Sequence, residues 1–465
     1  MIHFYNTETG KKEPFEPLET GHVRMYTCGP TVYHYVHIGN LRTFVFEDLL
    51  CRTLRYFGYS VTQVMNITDV DDKTIKGAIQ QNTTLDQYVK PYMEAFFEDL
   101  KTLAITPATH YPKATDYIPQ MIDMIQDLID KEAAYRGSDG SVYFSIRHFP
   151  NYGKLSHLKL DELQSGASDR IATDEYDKDN VSDFVLWKGY DAERDGQIYW
   201  DSPFGKGRPG WHLECSAMAL NYFPDTLDIH CGAVDNIFPH HENEIAQSEA
   251  HTHQLFAKFW MHSEHLIVEN KKMSKSLGNF YTLRDLLQKG YTGDQIRYLL
   301  LQTHYKTQLN FTFQGLEAAK ASLGRLHDFI CRLQNHTAAP NGQDVTPHIT
   351  QAKESFDQAL ADDLNISKAL ASLFDFLRGI NAMMDQNALK NPQDVLMFLK
   401  TLNQILGCLH FEQECVPKEI QELVDRRLQA RKEKDWTLSD QLRDQIQQAG
   451  YLIEDCPGCT RVKKQ

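Results

Sequence analysis

With 465 residues, 42% of them hydrophobic and 24% charged, the chain has the composition of a folded globular protein of about three domains at roughly 150 residues each. The sequence contains no run of about 18 apolar residues that could span a bilayer, and Met1-Ile2-His3-Phe4-Tyr5-Asn6 lacks a basic region leading into an apolar core. Nine widely spaced cysteines, an odd number, argue against a disulfide framework, and a net charge of −15 argues against wholesale wrapping of nucleic acid while leaving room for a local basic face. A cytoplasmic protein with no membrane segment is expected.

In chain order, Val23 to Thr27 suits a buried strand, and the residues after Gly39 read as a helix. Cys28 then stands at the strand's carboxyl end, where open α/β sheets bind ligands. The turn that follows aims backbone N–H groups and a helix dipole at whatever lies above it, which favours an anion. From Asn40 to Phe57, Leu41, Val45, Leu49, Leu50, Leu54 and Phe57 mark one helical face, with Gly58 as the stop. Ser60 to Ile67 reads as the next strand, completing a βαβ unit. The strand runs into Thr68-Asp69-Val70-Asp71-Asp72-Lys73, either a solvated turn or a substrate-facing loop. Residues from about 80 to 135 are mostly helical in pattern, Ser141 to Ile146 alternates like a strand, and Asp161 to Asp183 is polar and acidic.

The region from about 101 to 203 reads as an insertion between two halves of the first domain. The second half begins near Gly210 and continues through a strand at Leu227 to Cys231. In Phe238-Pro239-His240-His241-Glu242-Asn243-Glu244 the proline and carboxylates suit a helix start. Phe259 to Val268 reads as extended, and Lys271-Lys272-Met273-Ser274-Lys275-Ser276-Leu277-Gly278 is a small, basic loop. Helical spacing dominates from about Thr312 to Leu409, broken near Thr337 to Thr346. The last fifty or so residues suggest two helices (about Lys418 to Lys434 and Thr437 to Ala449), Gly450 and a strand from Tyr451 to Glu454. Arg426, Arg427, Arg431, Lys432, Lys434, Arg461, Lys463 and Lys464 give this part a basic face. The domains expected are 1–311, 312–409 and 410–465.

Two sets of residues carry chemistry. His240 and Glu244 stand four apart, so a helix puts them on one face, and with Cys28 and Cys215 they offer thiolate, imidazole and carboxylate donors that suit Zn²⁺. His230, Cys231, His241 and Glu242 are close by and compete for the same role; spacing does not choose among them. The second set would serve phosphates: His37, Gly39 and Asn40 at the helix start, and Lys272 and Lys275 in the basic loop. Donors and cations fixed around a pentacoordinate α-phosphate lower the barrier to activating a carboxylate with ATP, and no residue has to react covalently.

His37-Ile38-Gly39-Asn40 paired with Lys272-Met273-Ser274-Lys275-Ser276 resembles the double signature of class I aminoacyl-tRNA synthetases. Cys28-Gly29-Pro30-Thr31-Val32-Tyr33, Gly210-Trp211-His212-Leu213-Glu214-Cys215 and the Phe238 to Glu244 segment resemble the cysteinyl-tRNA synthetase family, over nearly the whole chain. The resemblance implies a Rossmann-type α/β catalytic domain split by a connecting insertion, an all-α helical bundle and a small α/β anticodon-binding domain. It implies ATP-dependent formation of cysteinyl-adenylate from L-cysteine and transfer to the terminal adenosine of tRNA(Cys). By that similarity Cys28, Cys215, His240 and Glu244 hold one Zn²⁺, Gly29, Thr68, Trp211, His230 and Asp235 line the cysteine pocket, and His37, Gly39, Asn40, Lys272 and Lys275 serve ATP with its Mg²⁺. Lys275, His37 and Asn40 would be catalytic, and the enzyme a monomer.

Serine differs from cysteine by one atom, so pocket shape discriminates weakly, whereas sulfur joining a zinc ion discriminates well and removes the need for an editing domain. The sequence departs from the family at Asn40, where the general class pattern has histidine, at Cys231-Gly232-Ala233, where the family has glycines, and in a tail that has Cys456-Pro457-Gly458-Cys459 where the family usually has a tryptophan. Cys231 places a thiol near the expected metal. Two rival readings are a ligase passing the adenylate to a small sugar-amine acceptor, as in mycothiol-type ligases, and a catalytically silent paralogue.

Overall fold

The computed structural model of the chain describes residues 1–158, 170–171, 183–274, 277–411, 417–456 and 459–464. Most of the polar stretch from Asp161 to Asp183, together with Lys275 and Ser276, lies outside the described residues. The chain divides into two units, Met1–Leu409 and His410–Gln465.

In the first unit, β1 (His22–Thr27), β2 (Ser60–Met65), β3 (Leu227–Ala233) and β4 (Ala257–Ser263) form a parallel sheet in the order β4-β3-β1-β2. Parallel strands covered on both faces must bury almost every side chain. In β3 even the polar ones are accommodated: Asp228 accepts hydrogen bonds from the backbone N–H groups of Leu18 (2.6 Å) and Arg24 (2.7 Å). From β1 the chain moves to β2 on one side, and from β3 to β4 on the other. The sheet therefore has its switch point between β1 and β3, and a crevice opens beyond their carboxyl ends.

Helix α1 (Ile38–Tyr56) links β1 to β2 and buries Leu41, Val45, Leu49, Leu50 and Leu54, the face expected from their spacing. Gly58 ends it with a left-handed φ of 94°. The acidic loop fits neither expected reading, because its carboxylates are engaged in structure. Asp69 is buried and accepts from the backbone N–H (2.9 Å) and hydroxyl (2.5 Å) of Thr115. Asp71 caps the helix Asp72–Gln80 by accepting from Lys73 N–H at 2.7 Å. Asp72 pairs with the buried Lys188 at 2.8 Å and with the buried Arg208.

The insertion is led into by helix Leu85–Thr102 and carries helix Ile118–Asp130 and strands Ala134–Arg136, Val142–Phe144 and Asp183–Gly189, with Gly207–Pro209 just beyond it joining their sheet. Its apolar residues Ile125, Leu128, Val142, Phe144 and Trp187 share one core with Leu213, Met218 and Trp260. Helices α2 (Trp211–Tyr222) and α3 (Glu242–Thr252) bring the second half's polar residues to the crevice. The helix expected to start at Pro239 does so as one wide helical turn that runs into α3 at Glu242, directly after Phe238, which is extended (φ −138°, ψ 132°). Beyond it lie α4 (Phe313–Gln334), α5 (Thr346–Ala361), α6 (Ile366–Asp385) and α7 (Pro392–Leu406), with the expected interruption between α4 and α5.

In the second unit, α8 (Lys418–Lys432) and α9 (Trp436–Gln448) pack on a hairpin of β5 (Tyr451–Cys456) and β6 (Cys459–Lys464) around Ile420, Val424, Ile446 and Ile453. The second strand of that hairpin is not expected from the sequence pattern, since three of its six residues are basic; Val462 packs against the core. The hairpin pairs Cys456 with Cys459 by backbone register. Among the described residues no helix is long and apolar enough to cross a membrane.

A buried ion pair ties α1 to the start of the insertion and the end of the bundle. Arg297 donates to Asp48 at 2.6 Å and to the backbone carbonyls of Leu406 (2.6 Å) and Leu103 (3.0 Å). Burial by itself raises the Asp48 carboxyl, but Arg297 and Arg52 outweigh it and hold the group below the ordinary aspartate value. A carboxyl lowered by folding stabilises above its unfolded value and loses that contribution as the pH falls through its folded one. Asp48→Asn should therefore cost about 3 kcal/mol at pH 7, the cost of breaking a buried pair, and the gap to the parent should narrow as the pH drops below about 4. Urea denaturation of both proteins across that range measures it; a gap independent of pH would contradict the assignment.

Candidate active site

The turn after β1 descends close to the sheet. A Cβ on Gly29 would come within 1.7 Å of the Asn66 carbonyl oxygen, while Gly29 N–H donates to Asn66 Oδ1 at 2.9 Å. Only glycine allows this approach, and it fixes Cys28 over the switch point, where its own N–H donates to the Cys231 carbonyl at 3.2 Å.

Opposite Cys28, the wide turn and first turn of α3 present His240, His241 and Glu244. One donor atom from each of Cys28, His240, His241 and Glu244 lies within 4.8 Å of the others, a spacing that can hold a metal ion. Cys28 Sγ is 3.2 Å from His241 Nε2, and His240 Nε2 is 2.9 Å from Glu244 Oε1. Cys215, buried on α2, lies beside them and interacts electrostatically with Cys28, Glu244 and His240, but the four donors that meet this spacing do not include it. Supporting contacts orient them: His230 Nε2 is 2.8 Å from Glu244 Oε2, His212 Nδ1 is 2.9 Å from His240 Nδ1, and His241 Nδ1 is 2.8 Å from His262 Nε2.

The electrostatics fit a cation site. The hydrogen bond from Cys28 brings the Cys215 thiol down to about 6. Burial opposes charge on Glu244 and His240, yet His230 and His240 hold the Glu244 carboxyl down at about 2, and Glu244 and Cys215 raise His240 to about 10. The donors expected from the sequence are two soft thiols, a borderline imidazole and a harder carboxylate, a mixture that zinc accepts.

The competing residues separate by direction. Glu242 turns away and accepts from Gly153 N–H (2.8 Å) and from the N–H (2.8 Å) and hydroxyl (2.7 Å) of Ser156, anchoring the insertion. Strand alternation puts Cys231 on the face opposite His230, beside Glu47 and Cys51 of α1, where burial pushes its thiol well up. His241 is a donor that spacing alone does not rank. Its pairing with His262 of β4, and the support of His240 by His212, carry no local sequence signal.

Beside these donors opens a pocket of 280 Å³ lined by Gly29, His37, Gly39, Asn40, Trp211 and Asp235, among others. Trp211 stacks on His240 with ring centroids 4.1 Å apart. Thr68 and His230 do not line it: Thr68 is buried, accepting from Asn66 at 3.1 Å, and His230 lies behind Glu244, stacked on Trp260 at 4.5 Å. His37 caps α1, its Nδ1 accepting from the N–H groups of Gly39 (3.1 Å) and Asn40 (3.2 Å), while Asn40 Oδ1 accepts from His37 N–H at 3.2 Å. Amides expected to face a phosphate are thus satisfied by the imidazole. Burial lowers His37 to about 4, so near neutral pH it carries its proton on Nε2, the nitrogen that does not accept from the helix. The basic loop approaches this turn: Met273 lines the pocket, and Ile38 N–H donates to the Tyr281 carbonyl at 3.0 Å. Lys272 is exposed on a short strand. Lys275 lies outside the described residues.

Residues 14–321 match the family profile described as the catalytic domain of class I (C) tRNA synthetases, residues 355–410 a DALR domain, and residues 415–462 the anticodon-binding domain of cysteinyl-tRNA ligase. The chain is 61% identical over 468 residues to a cysteine–tRNA ligase of Protochlamydia amoebophila, covering 100% of this chain and 98% of the relative. It is 56% identical to the corresponding enzyme of Chlamydia pneumoniae, covering 99% and 98%. Among solved structures it resembles Mycobacterium tuberculosis methionyl-tRNA synthetase bound to methionyl-adenylate, at 14% identity and a TM-score of 0.60 over 83% of this chain and 89% of that one. A ternary complex of an Agrobacterium radiobacter leucyl-tRNA synthetase gives a TM-score of 0.59 at 13% identity, over 85% and 84%. At these identities the likeness concerns the fold.

Removing a donor should remove the metal. Cys215→Ser and His240→Ala should each lower bound zinc from about one per chain to a small fraction after dialysis, while Glu242→Gln, whose carboxylate faces the insertion, should retain it. Elemental analysis of the three variants decides; undiminished zinc in Cys215→Ser would refute its place in the donor set.

Proposed function

The chain belongs to the cysteine–tRNA ligase family of class I aminoacyl-tRNA synthetases, and from that premise we propose how its own residues divide the work. The reaction is ATP-dependent activation of cysteine and its attachment to tRNA. The match of residues 415–462 to an anticodon-binding domain favours tRNA over a small sugar-amine as the acceptor. We place the enzyme in the cytoplasm, as a monomer using Mg²⁺-bound ATP.

Cys28, Cys215, His240 and Glu244 would hold zinc, with His241 held by His262 as their buried neighbour. Bound there, zinc supplies a site that accepts the substrate's sulfur as thiolate and takes a serine hydroxyl poorly. Trp211, fixed against His240, shapes the side of the pocket and leaves no room for larger side chains. Asp235, an exposed carboxylate at the pocket's edge, would pair with the amino acid's ammonium group. The observation that carries this reading is the convergence of thiol, imidazole and carboxylate donors at the floor of the switch-point crevice, beside a capped helix start.

In the first step the substrate carboxylate attacks the α-phosphorus and pyrophosphate leaves. His37 would donate from Nε2–H to the phosphates, Asn40 from its side-chain amide, and Lys272 and Lys275 would meet the charge that builds on the expelled oxygens. Because His37 stays neutral down to about pH 4, its donor role should not titrate across the physiological range. In the second step a ribose hydroxyl of the terminal adenosine attacks the activated carbonyl, and adenylate leaves.

Cysteine-dependent ATP–pyrophosphate exchange, with serine as the control, tests activation; charging of tRNA tests transfer. Exchange with cysteine and charging are expected, with little exchange for serine. Exchange without charging would favour a small acceptor, and no exchange by metal-replete protein would favour a silent paralogue. Lys275→Ala should slow exchange by about 10²- to 10³-fold, as loss of a transition-state donor does, while zinc content stays unchanged. A variant that loses metal along with activity would contradict the division of roles.

A further inference from the structure

Outward from His37 the mouth of the pocket is walled by rings. His37 meets Phe280 edge-on at 5.3 Å, Phe280 meets His34 at 6.2 Å, and His34 lies parallel to Tyr92 at 6.0 Å. Tyr35 packs edge-on against Tyr92 at 5.4 Å and is 39% exposed. A groove of 610 Å³ runs past these rings to Arg284 and Gln288, and it shares His34, Tyr35 and Phe280 with the pocket that contains Cys28 and Trp211. Arg284 lies 4.8 Å over the Tyr35 ring and is itself held by Asp99 (2.6 Å) and Glu98 (2.9 Å). The guanidinium therefore braces the ring, and its charge is already matched by carboxylates.

We propose that this wall seats the unpaired 3′ end of tRNA, with Tyr35 stacking on a base that precedes the terminal adenosine. The proposal rests on the reading that tRNA is the acceptor. Three observations lead to it. The groove is continuous with the catalytic pocket, so a chain lying along it ends at the adenylate. Its surface is aromatic, the surface that splayed, unpaired bases prefer, since every base presents a π-face. The cation at the wall is neutralised, so the wall selects for base faces over phosphate charge, and binding there should depend little on salt. A protein or lipid occupant would leave unexplained why the aromatic surface runs into the site of chemistry.

Tyr35 lines the outer end of the pocket as well as the groove, so a stacking role should cost transfer far more than activation in its variants. Parent, Tyr35→Ala and Tyr35→Phe are compared in ATP–pyrophosphate exchange, in charging, and in binding of a tRNA transcript with and without its last three nucleotides. In Tyr35→Ala, kcat/KM for charging should fall roughly tenfold or more beyond any change in exchange, the loss of one stacked base. Tyr35→Phe, which keeps the ring, should charge like the parent. Removing the last three nucleotides should weaken binding to the parent more than binding to Tyr35→Ala, which has already lost the stacked base. Exchange falling in step with charging, a Phe variant as poor as the Ala variant, or truncation costing both proteins equally would each overturn the proposal. A parent that activates cysteine but charges no tRNA overturns the underlying reading, and the proposal with it; with the parent charging, any failure belongs to the wall alone.

Discussion

Glu244 is a carboxylate shut away from water, and keeping it charged is the constraint around which the centre of the molecule is arranged. An isolated buried charge costs several kcal/mol, so its neighbours must compensate. His230 and His240 do so from opposite sides. Each comes from its own element: β3 carries His230, level with Tyr26 of β1, and the turn before α3 carries His240, four residues ahead of Glu244. With Cys28 from the end of β1 and Cys215 from α2, the two halves of a sheet interrupted by a long insertion meet at a single cluster. A divalent cation would supply the positive charge such a cluster calls for, and its binding would then be coupled to the packing of the crevice.

The same crevice separates two tasks. In the function proposed, a metal ion held at its floor would select the side chain by chemistry, because cysteine and serine differ too little in shape for a hydrophobic pocket to tell them apart. Its rim would handle phosphate. There His37 has a double duty: one ring nitrogen satisfies the amides of Gly39 and Asn40, which holds the helix start rigid, and the other remains as a donor. Burial keeps the ring neutral, so in the function proposed the positive charge at the rim would come from the dipole of α1 and from Lys272 and Lys275. Gly39 matters for a related reason: a Cβ there would press on the His37 ring at 2.9 Å and on Met273 at 3.3 Å.

Much of this was legible in the sequence. Apolar spacing marks the βαβ start, α1 and the bundle helices, because those elements bury one face each and their periodicity survives in the residues. Family resemblance suggests the pairing of Cys28 with Cys215, whereas spacing cannot establish it, since nothing local says that two halves separated by an insertion will meet. The order of the donors in His240-His241-Glu242-Asn243-Glu244 was not legible for a geometric reason: α3 begins at Glu242 and follows a wide turn, so both histidines face the crevice while Glu242 faces the insertion. Cys231 was readable in principle, because alternation along β3 sends it away from His230. The hairpin strand Cys459–Lys464 escaped because its pattern is charged, and the Tyr35 wall escaped because its rings come from three separate segments.

The central claim is that sulfur of the amino acid joins the ion held at the floor of the crevice. Cobalt(II) exchanged into the metal site makes that visible, since each thiolate bound to it adds a charge-transfer absorption in the near ultraviolet. Titration with cysteine should intensify that absorption, and titration with serine should leave it unchanged. Identical spectra with and without cysteine, in protein that still activates cysteine, would contradict the account.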